Sequence, residues 1–311
     1  MPERKQHMQS LTPTLMVQLA APHTWVASIV PVLIATALAW VYLHAQGQSI
    51  DALMVCILLA IGVLLQSAVN TINDYFDYVK GTDTRENQAD PTDAVLVYNN
   101  INPTEARNFA IGLVVLAFVL GVYCIVRAGW IPLAIALVGV AIIYLYSGGK
   151  TPISYLPIGE VVSGFTMGGL ITLASYYCLT NTFSWMVLVY ALPVMLGIAL
   201  IMLTNNGCDI EKDTLAKRKT LPVLLGYNRT VMLYHGIIYT WIAAIVLLVI
   251  AFFRSGWIVL PFMLLAVHPL GRALLANLLT AESRASAFAQ CTSLNIALGA
   301  FYAAAILASG L

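Results

Sequence analysis

Residues 52–77 read A-L-M-V-C-I-L-L-A-I-G-V-L-L-Q-S-A-V-N-T-I-N-D-Y-F-D, an apolar run that ends in a polar cluster. The run over 52–73 has about the 20 residues that a helix needs to cross the hydrocarbon core of a bilayer. Asn70, Asp74 and Asp77 lie at its end. Because an Asp at the centre of a spanning helix costs roughly 2.5 to 3.5 kcal/mol on insertion scales, such carboxylates indicate a functional site.

The rest of the chain is equally apolar. Of its 311 residues, 60% are hydrophobic and 9% are charged, against about 25% charged residues in an average globular protein. Apolar runs of roughly spanning length lie at 24–45, 52–73, 106–126, 130–146, 158–180, 184–204, 229–252, 256–278 and 286–309. The sequence therefore predicts an all-α integral membrane protein, with nine transmembrane helices in a single bundle around a central cavity. Residues 1–23 form a cytoplasmic N-terminal segment and 24–311 form one domain.

The basic residues predict how the chain is oriented. Thirteen of the 15 Lys and Arg lie in the N-terminal tail or in the connections that follow even-numbered spans, whereas Arg127 and Arg254 lie on the other side. By the positive-inside rule, the N-terminus and both acidic motifs are cytoplasmic. Residues 1–23 lack the pattern of a cleaved signal peptide. We expect a multi-pass protein of the cell (inner or plasma) membrane.

A second polar pattern repeats the first one. N-N-G-C-D-I-E-K-D, residues 205–213, begins 135 positions after Asn70, at the end of the sixth predicted span. Positions i, i+4 and i+7 share one face of a helix, which places Asn70, Asp74 and Asp77 together. Asn205, Asp209 and Asp213 have the equivalent i, i+4, i+8 spacing. Donor sets made only of oxygen suit Mg²⁺, which is commonly held by one or two carboxylates together with substrate phosphates. The oxygen-bearing side chains of the two motifs are therefore candidate ligands for Mg²⁺.

Simpler interpretations of these residues stay open. A single Asn or Asp at a helix end is most often a cap or a solvated residue, but two matched motifs on one predicted side favour a site. Lys217, Arg218 and Lys219 either bind substrate phosphates or fix the orientation of the chain in the membrane by contacting anionic lipid. The net charge of +1 argues against a nucleic-acid partner. The five Cys residues are scattered without C-x-x-C spacing and predict neither disulfides nor a zinc site. No obligate protein partner is evident.

Three segments resemble a known family. N-D-Y-F-D-Y-V-K-G-T-D (73–83) and N-N-G-C-D-I-E-K-D-T-L-A-K-R-K-T-L-P-V-L-L-G (205–226) are similar to the two aspartate-rich motifs of the UbiA superfamily of intramembrane prenyltransferases, whose members have nine helices. The stretch Y-S-G-G-K-T-P-I-S-Y-L-P-I-G-E (146–160) resembles the menaquinone-type branch, the 1,4-dihydroxy-2-naphthoate polyprenyltransferases.

This resemblance implies a reaction. A polyprenyl diphosphate would bind through Mg²⁺ held by Asp74, Asp77, Asp209 and Asp213. The metal would offset the charge on the leaving diphosphate while the electron-rich aromatic ring attacks the prenyl carbon. In the naphthoate branch the ring then loses CO₂. The resemblance assigns catalytic roles to Asn70, Asp74, Asp77, Asn205, Asp209 and Asp213. It assigns substrate binding to Lys80, Asp83, Lys150, Tyr155, Asn206, Arg218 and Lys219.

Two departures leave the acceptor open. Members of this branch usually carry a G-P-x-R-like segment after the first motif, but this chain has no Lys or Arg between Arg85 and Arg107, and it has N-G-C-D where N-x-R-D is common. The acceptor could instead be 4-hydroxybenzoate, homogentisate, a porphyrin-type ring or a glycerol-ether lipid. A membrane cation transporter that uses midplane carboxylates is a more distant alternative. A phosphatidyl-transferring enzyme is less favoured, because the D-G-x-x-A-R pattern is missing from both motifs.

Overall fold

A computed structural model describes residues 9–81, 84 and 94–311. These residues are nearly all helical, and among them no strand forms beyond one isolated bridge between Gln9 and Ile101. In chain order, the α-helices are α1 (Pro13–Ala20), α2 (Val26–His44), α3 (Ala52–Lys80), α4 (Val95–Asn99), α5 (Pro103–Ala128), α6 (Ile131–Ser147), α7 (Gly159–Ser163), α8 (Ile171–Thr180), α9 (Met186–Tyr190), α10 (Leu192–Cys208), α11 (Ile210–Leu215), α12 (Leu221–Leu225), α13 (Tyr227–Phe252), α14 (Leu260–Leu275) and α15 (Arg284–Ala308). A π-helical segment, Gly164–Leu170, joins α7 to α8, and 3₁₀ turns lie at Pro22–Thr24, Ile153–Tyr155 and Arg254–Val259.

Seven helical segments in the described part of the chain are long and apolar enough to cross a membrane. They are Val26–His44, Ala52–Lys80, Pro103–Ala128, Gly159–Thr180, Tyr227–Phe252, Arg254–Leu275 and Arg284–Ala308. The protein is therefore a multi-pass membrane protein. The fourth and sixth predicted spans correspond to α6 and α10, of 17 residues each, which reach about 25 Å at 1.5 Å per residue. Nine transmembrane helices remain a prediction.

Small residues bring α10 against the π-helical segment. A Cβ atom added to Gly168 would lie 2.7 Å from the backbone nitrogen of Met195, and one added to Gly164 would lie 2.7 Å from the Met195 carbonyl oxygen. Only glycine allows the two backbones to approach this closely, as is common at helix interfaces in membranes. Segments of π-helix are frequent at functional sites, and Thr166 and Met167 of this one line the same cavity as Asn70 and Asn73 of α3.

The N-terminal segment covers the polar end of α3. Leu15 and Leu19 of α1 are buried with Val95 and Leu96 of α4 in a small cluster separate from the main core. Trp25, which follows the first 3₁₀ turn, donates from its indole nitrogen to Ser67 of α3 at 3.0 Å. Residues 13–20 therefore pack on the bundle as a helix and help to enclose the first motif.

Candidate active site

Arg218 joins the two acidic motifs. Its Nη2 donates to Oδ1 of Asp77, at the end of α3, over 2.6 Å. Its Nη1 lies 3.5 Å from Oδ1 of Asp213, in α11. Because one guanidinium contacts a carboxylate from each motif, the two motifs lie within reach of a single ligand. This is the juxtaposition that the paired patterns predict.

Asp213 is the more enclosed of these two carboxylates. Its side chain is 3% exposed, and Thr220 donates to its Oδ2 over 3.2 Å. Burial raises the pKa of Asp213 to about 6, against the lowering effect of the Arg218 charge. Burial would lower the pKa of Arg218, but the Asp77 and Asp213 carboxylates outweigh it, so this pKa lies above its usual value. A cation beside Asp213 therefore favours its ionised form.

A second arginine contacts the other two residues of the second motif. Arg284, the first residue of α15, donates from Nη2 to Oδ1 of Asn205 over 2.5 Å. Its Nε lies 3.3 Å from Oδ1 of Asp209. Sequence reasoning missed this residue, because 79 positions separate Arg284 from Asn205 and its only signal was a cation in a connection predicted to be cytoplasmic.

Asn70 and Asp74 connect α3 to its neighbours. Asn70 donates from Nδ2 to the Ala20 carbonyl over 2.9 Å and to the Thr24 hydroxyl over 2.8 Å, so it holds the N-terminal segment to α3. Asp74 is buried and accepts a hydrogen bond from the Val95 amide over 3.1 Å. Asn70 is therefore placed chiefly to position the surrounding chain.

The ring of Tyr155 lies close to two cations. Lys80 Nζ is 5.3 Å from the ring centroid and Arg218 Cζ is 4.9 Å from it, within the range of cation–π attraction. Lys80 also donates to the Ser147 carbonyl over 2.5 Å. Tyr155, Lys80 and Arg218, all predicted to bind substrate, thus form one group beside Asp77.

The remaining predicted substrate-binding residues are more dispersed. Lys150 and Lys219 have exposed side chains, and the Lys219 amide donates to the Tyr155 carbonyl over 2.9 Å. Asn206 donates from Nδ2 to Oε1 of Glu160 over 2.8 Å. Asp83 lies outside the described residues. Glu160, like Arg284, was not assigned a role from the sequence.

An apolar cavity of about 310 Å³ begins next to the motifs. Asn70, Asn73 and Tyr146 line the end nearest to Asp74 and Asp77, and Cys124 and Cys178 line the far end. Helices α3, α5, α6 and α8 and the π-helical segment form its walls. The larger cavity of about 810 Å³, which Tyr42, Phe253 and Arg254 help to line, lies at the opposite end of the bundle. It is remote from both motifs, so the smaller cavity is the one relevant to their chemistry.

The residues at the site fit a divalent cation. Their donors are carboxylate and amide oxygens, the ligands that Mg²⁺ prefers. Within 9–81, 84 and 94–311, no three His, Cys, Asp or Glu side chains come together in an arrangement that could hold a metal. Pairs of carboxylates are sufficient for Mg²⁺, because water and substrate phosphates commonly complete its coordination. Binding through pairs also suits a ligand that carries two phosphates.

The chain is similar to known proteins over most of its length. The model of the UbiA prenyltransferase family matches residues 18–303. A 1,4-dihydroxy-2-naphthoate octaprenyltransferase from Bacillus subtilis is 34% identical over 249 residues, which are 79% of this chain and 77% of that protein. A protein of the same name from Mycobacterium tuberculosis is 31% identical over 222 residues, 70% of this chain and 72% of that protein.

The fold is similar to that of solved structures. A UbiA homolog from Archaeoglobus fulgidus, bound to GPP and Mg²⁺, matches with a TM-score of 0.65 and 15% sequence identity, over 94% of this chain and 99% of that one. At this identity, the likeness shows the shared fold.

Proposed function

Because this chain belongs to the UbiA prenyltransferase family and is a prenyltransferase, we propose that it transfers a polyprenyl group from a polyprenyl diphosphate to 1,4-dihydroxy-2-naphthoate. The reaction is Mg²⁺-dependent, releases CO₂ and belongs to menaquinone biosynthesis. The observation that carries the proposal is the contact of Arg218 with both Asp77 and Asp213, beside an apolar cavity that Asn70 and Asn73 of the same helix as Asp77 help to line.

The proposed donor site divides into a polar part and an apolar part. Asp74, Asp77, Asp209 and Asp213 hold Mg²⁺, which supplies Lewis-acid stabilisation of the leaving diphosphate. Arg218, Arg284 and Lys80 lie beside these carboxylates and orient the diphosphate oxygens through charge-assisted hydrogen bonds. The prenyl chain occupies the apolar cavity, where the walls of α5 and α6 replace water.

The chemical step exchanges one bond for another. The allylic C–O bond breaks and its electron pair leaves with the diphosphate, while the electron-rich ring carbon forms the new C–C bond. The ring of Tyr155 packs against Arg218 and Lys80. Its face can stabilise the positive charge that develops on the prenyl carbon only when these two cations turn toward the diphosphate. Loss of CO₂ from the naphthoate then restores the aromatic ring.

The proposed reaction also predicts where the protein lies in the membrane and which side its site faces. We place residues 24–311 in one domain of the cell membrane, with both acidic motifs and residues 1–23 on the cytoplasmic side, where a charged diphosphate is available. The acceptor is the least constrained part of the proposal, since other hydroxylated aromatic acids fit the same donor site. The names of the relatives from B. subtilis and M. tuberculosis favour the naphthoate.

The test is a product assay. Purified protein is incubated with farnesyl diphosphate, Mg²⁺ and a panel of aromatic acids, and the products are identified by mass. We expect prenylated, decarboxylated naphthoate from the wild type. Asp74→Asn and Asp209→Asn should each lower kcat by about 10²-fold or more, because each removes negative charge that binds the metal.

The matched control is the same change at the other end of the same helix. Asp51 caps the N-terminus of α3 by accepting from the Met54 amide over 3.0 Å, so Asp51→Asn should retain most of the activity. Wild-type turnover by Asp74→Asn and Asp209→Asn in saturating Mg²⁺ would contradict the metal roles. Alkylation of a glycerophosphate derivative in preference to all aromatic acids would contradict the acceptor.

A further inference from the structure

The proposed reaction does not use the larger cavity, of about 810 Å³, at the end of the bundle opposite the acidic motifs. Its volume lies within the range of small-molecule sites, roughly 300 to 1,000 Å³. Its lining combines the aromatic rings of Tyr42, Tyr190 and Phe253 with the hydroxyls of Ser184 and Ser255 and the guanidinium of Arg254. A cavity of this composition suits a ligand that has both an apolar part and an anionic part.

The charge of Arg254 is not compensated by a neighbouring carboxylate. Arg127, the other arginine at this end of the bundle, lies 3.4 Å from Asp51, which is the only acidic side chain at this end in the part of the chain that the structure describes. Across 9–81, 84 and 94–311, the guanidinium of Arg254 forms no ion pair. The side chain is exposed, so its charge is available to an anion in the cavity.

The backbone on both sides of Arg254 is anchored in the bundle. Phe253 is buried, and its ring centroid lies 5.2 Å from that of Tyr190. Two residues beyond Arg254, a Cβ atom added to Gly256 would lie 2.1 Å from the Ala305 carbonyl oxygen, so this turn packs directly on the backbone of α15. A cation held on such a short, fixed segment loses less conformational freedom when it binds a ligand.

Exposed tryptophans indicate the depth of this cavity in the membrane. Trp185, which directly follows Ser184, is 69% exposed, and Trp257, two residues after Ser255, is 63% exposed. Tryptophan side chains concentrate at the level of the lipid head groups. Because both tryptophans are near neighbours of residues that line the cavity, the cavity lies at the depth where the phosphates of lipids are found.

We propose that this cavity binds one anionic phospholipid from the surrounding membrane. The lipid phosphate accepts charge-assisted hydrogen bonds from Arg254, whose planar guanidinium matches the geometry of a phosphate. The hydroxyls of Ser184 and Ser255 donate to the head group, and the apolar part of the lipid packs on the rings of Tyr190 and Phe253.

The same contacts distinguish this ligand from others. A soluble anion would lack the apolar contacts with the aromatic rings. A zwitterionic head group would bring an ammonium group near the guanidinium, and like charges repel each other. A membrane lipid with a net negative charge is therefore the ligand that the cavity fits.

Native mass spectrometry of the purified full chain measures this binding. The protein in detergent is titrated with phosphatidylglycerol or with phosphatidylcholine that has the same acyl chains. We expect the wild type to bind one phosphatidylglycerol about tenfold or more tightly than phosphatidylcholine. Arg254→Gln should lower the affinity for phosphatidylglycerol by about tenfold or more and should remove the preference between the two lipids.

The matched control is Arg127→Gln, which removes the same charge at the same end of the bundle from an arginine that already pairs with Asp51. It should change the affinity for phosphatidylglycerol by less than about twofold, because exposed charges outside the site are screened. Ser184→Trp fills the cavity but leaves Arg254 in place, so it should also weaken binding. An unchanged melting temperature without added lipid shows that each variant is folded.

Three results would overturn the inference. The first is equal affinity of the wild type for the two lipids. The second is an equal loss in Arg254→Gln and Arg127→Gln, which would show a diffuse basic field. The third is displacement of the bound lipid by inorganic phosphate or by farnesyl diphosphate, which would show that the cavity takes a soluble anion or a second prenyl donor. None of these measurements involves the acidic motifs, so their outcome is independent of the proposed function.

Discussion

At the scale of single residues, the environment separates side chains that look equivalent in sequence. Lys217, Arg218 and Lys219 form one basic run, but only Arg218 turns inward, with a side chain that is 14% exposed and in contact with Asp77 and Asp213. Lys217 and Lys219 are exposed. The planar guanidinium can bridge two carboxylates, which the single ammonium of a lysine does less well.

Arg218→Gln tests this difference. We expect the KM for prenyl diphosphate to rise about tenfold or more, equivalent to about 1.4 kcal/mol of binding, with a smaller change in kcat, since the lost charge binds ground and transition states alike. Lys217→Gln removes the same charge one position earlier and should change the KM by less than about twofold. Equal effects of the two changes would instead show that the run acts as a diffuse basic field or a topology signal.

At the scale of helices, the cavity depends on how α5 lies against α3 and α6. Gly121 of α5 lines the cavity, and a Cβ atom added there would meet no other atom within 4 Å. It lies 18 residues beyond Pro103, about 27 Å along the helix axis, so it faces the outer part of the space proposed for the prenyl chain.

Gly121→Phe should shorten the chains that the enzyme accepts. The ring would fill the outer part of the cavity, so kcat/KM for long polyprenyl diphosphates should fall about tenfold or more while the value for a short donor is retained. Gly112→Phe is the matched control, because Gly112 is also on α5 with open space at its Cβ but does not line the cavity. A series of donors of increasing length is the measurement, and an unchanged length profile in Gly121→Phe would place the prenyl chain elsewhere.

At the scale of the whole molecule, the acidic motifs and the basic side chains near them lie at the same end of the helix bundle. Both motifs meet at the end of the bundle that also carries Lys80, Arg218 and Arg284. At the other end, Arg127 pairs with Asp51 at 3.4 Å. The uneven distribution of Lys and Arg predicts that the motif end faces the cytoplasm.

Labelling of introduced cysteines tests this orientation. Cys56→Ser first removes the exposed native thiol. Two variants are then made in this background: Gln48→Cys, in the connection between α2 and α3, and Thr104→Cys, at the start of α5. Each introduces one exposed thiol, and the two positions lie at opposite ends of the bundle. A membrane-impermeant maleimide should label Gln48→Cys in intact cells and Thr104→Cys only after permeabilisation. The reverse pattern would contradict the cytoplasmic placement of the motifs.

The sequence by itself determined the membrane class, most spanning segments, the family and the two acidic motifs. These features are local: hydropathy over about 20 residues and spacing along one helix decide them. The packing of distant segments decided that Arg218 links the two motifs, that Arg284 reaches Asn205 and that Asn70 holds the N-terminal segment to α3. Such contacts join groups far apart in the chain, and their distances depend on how helices cross, which no local pattern contains.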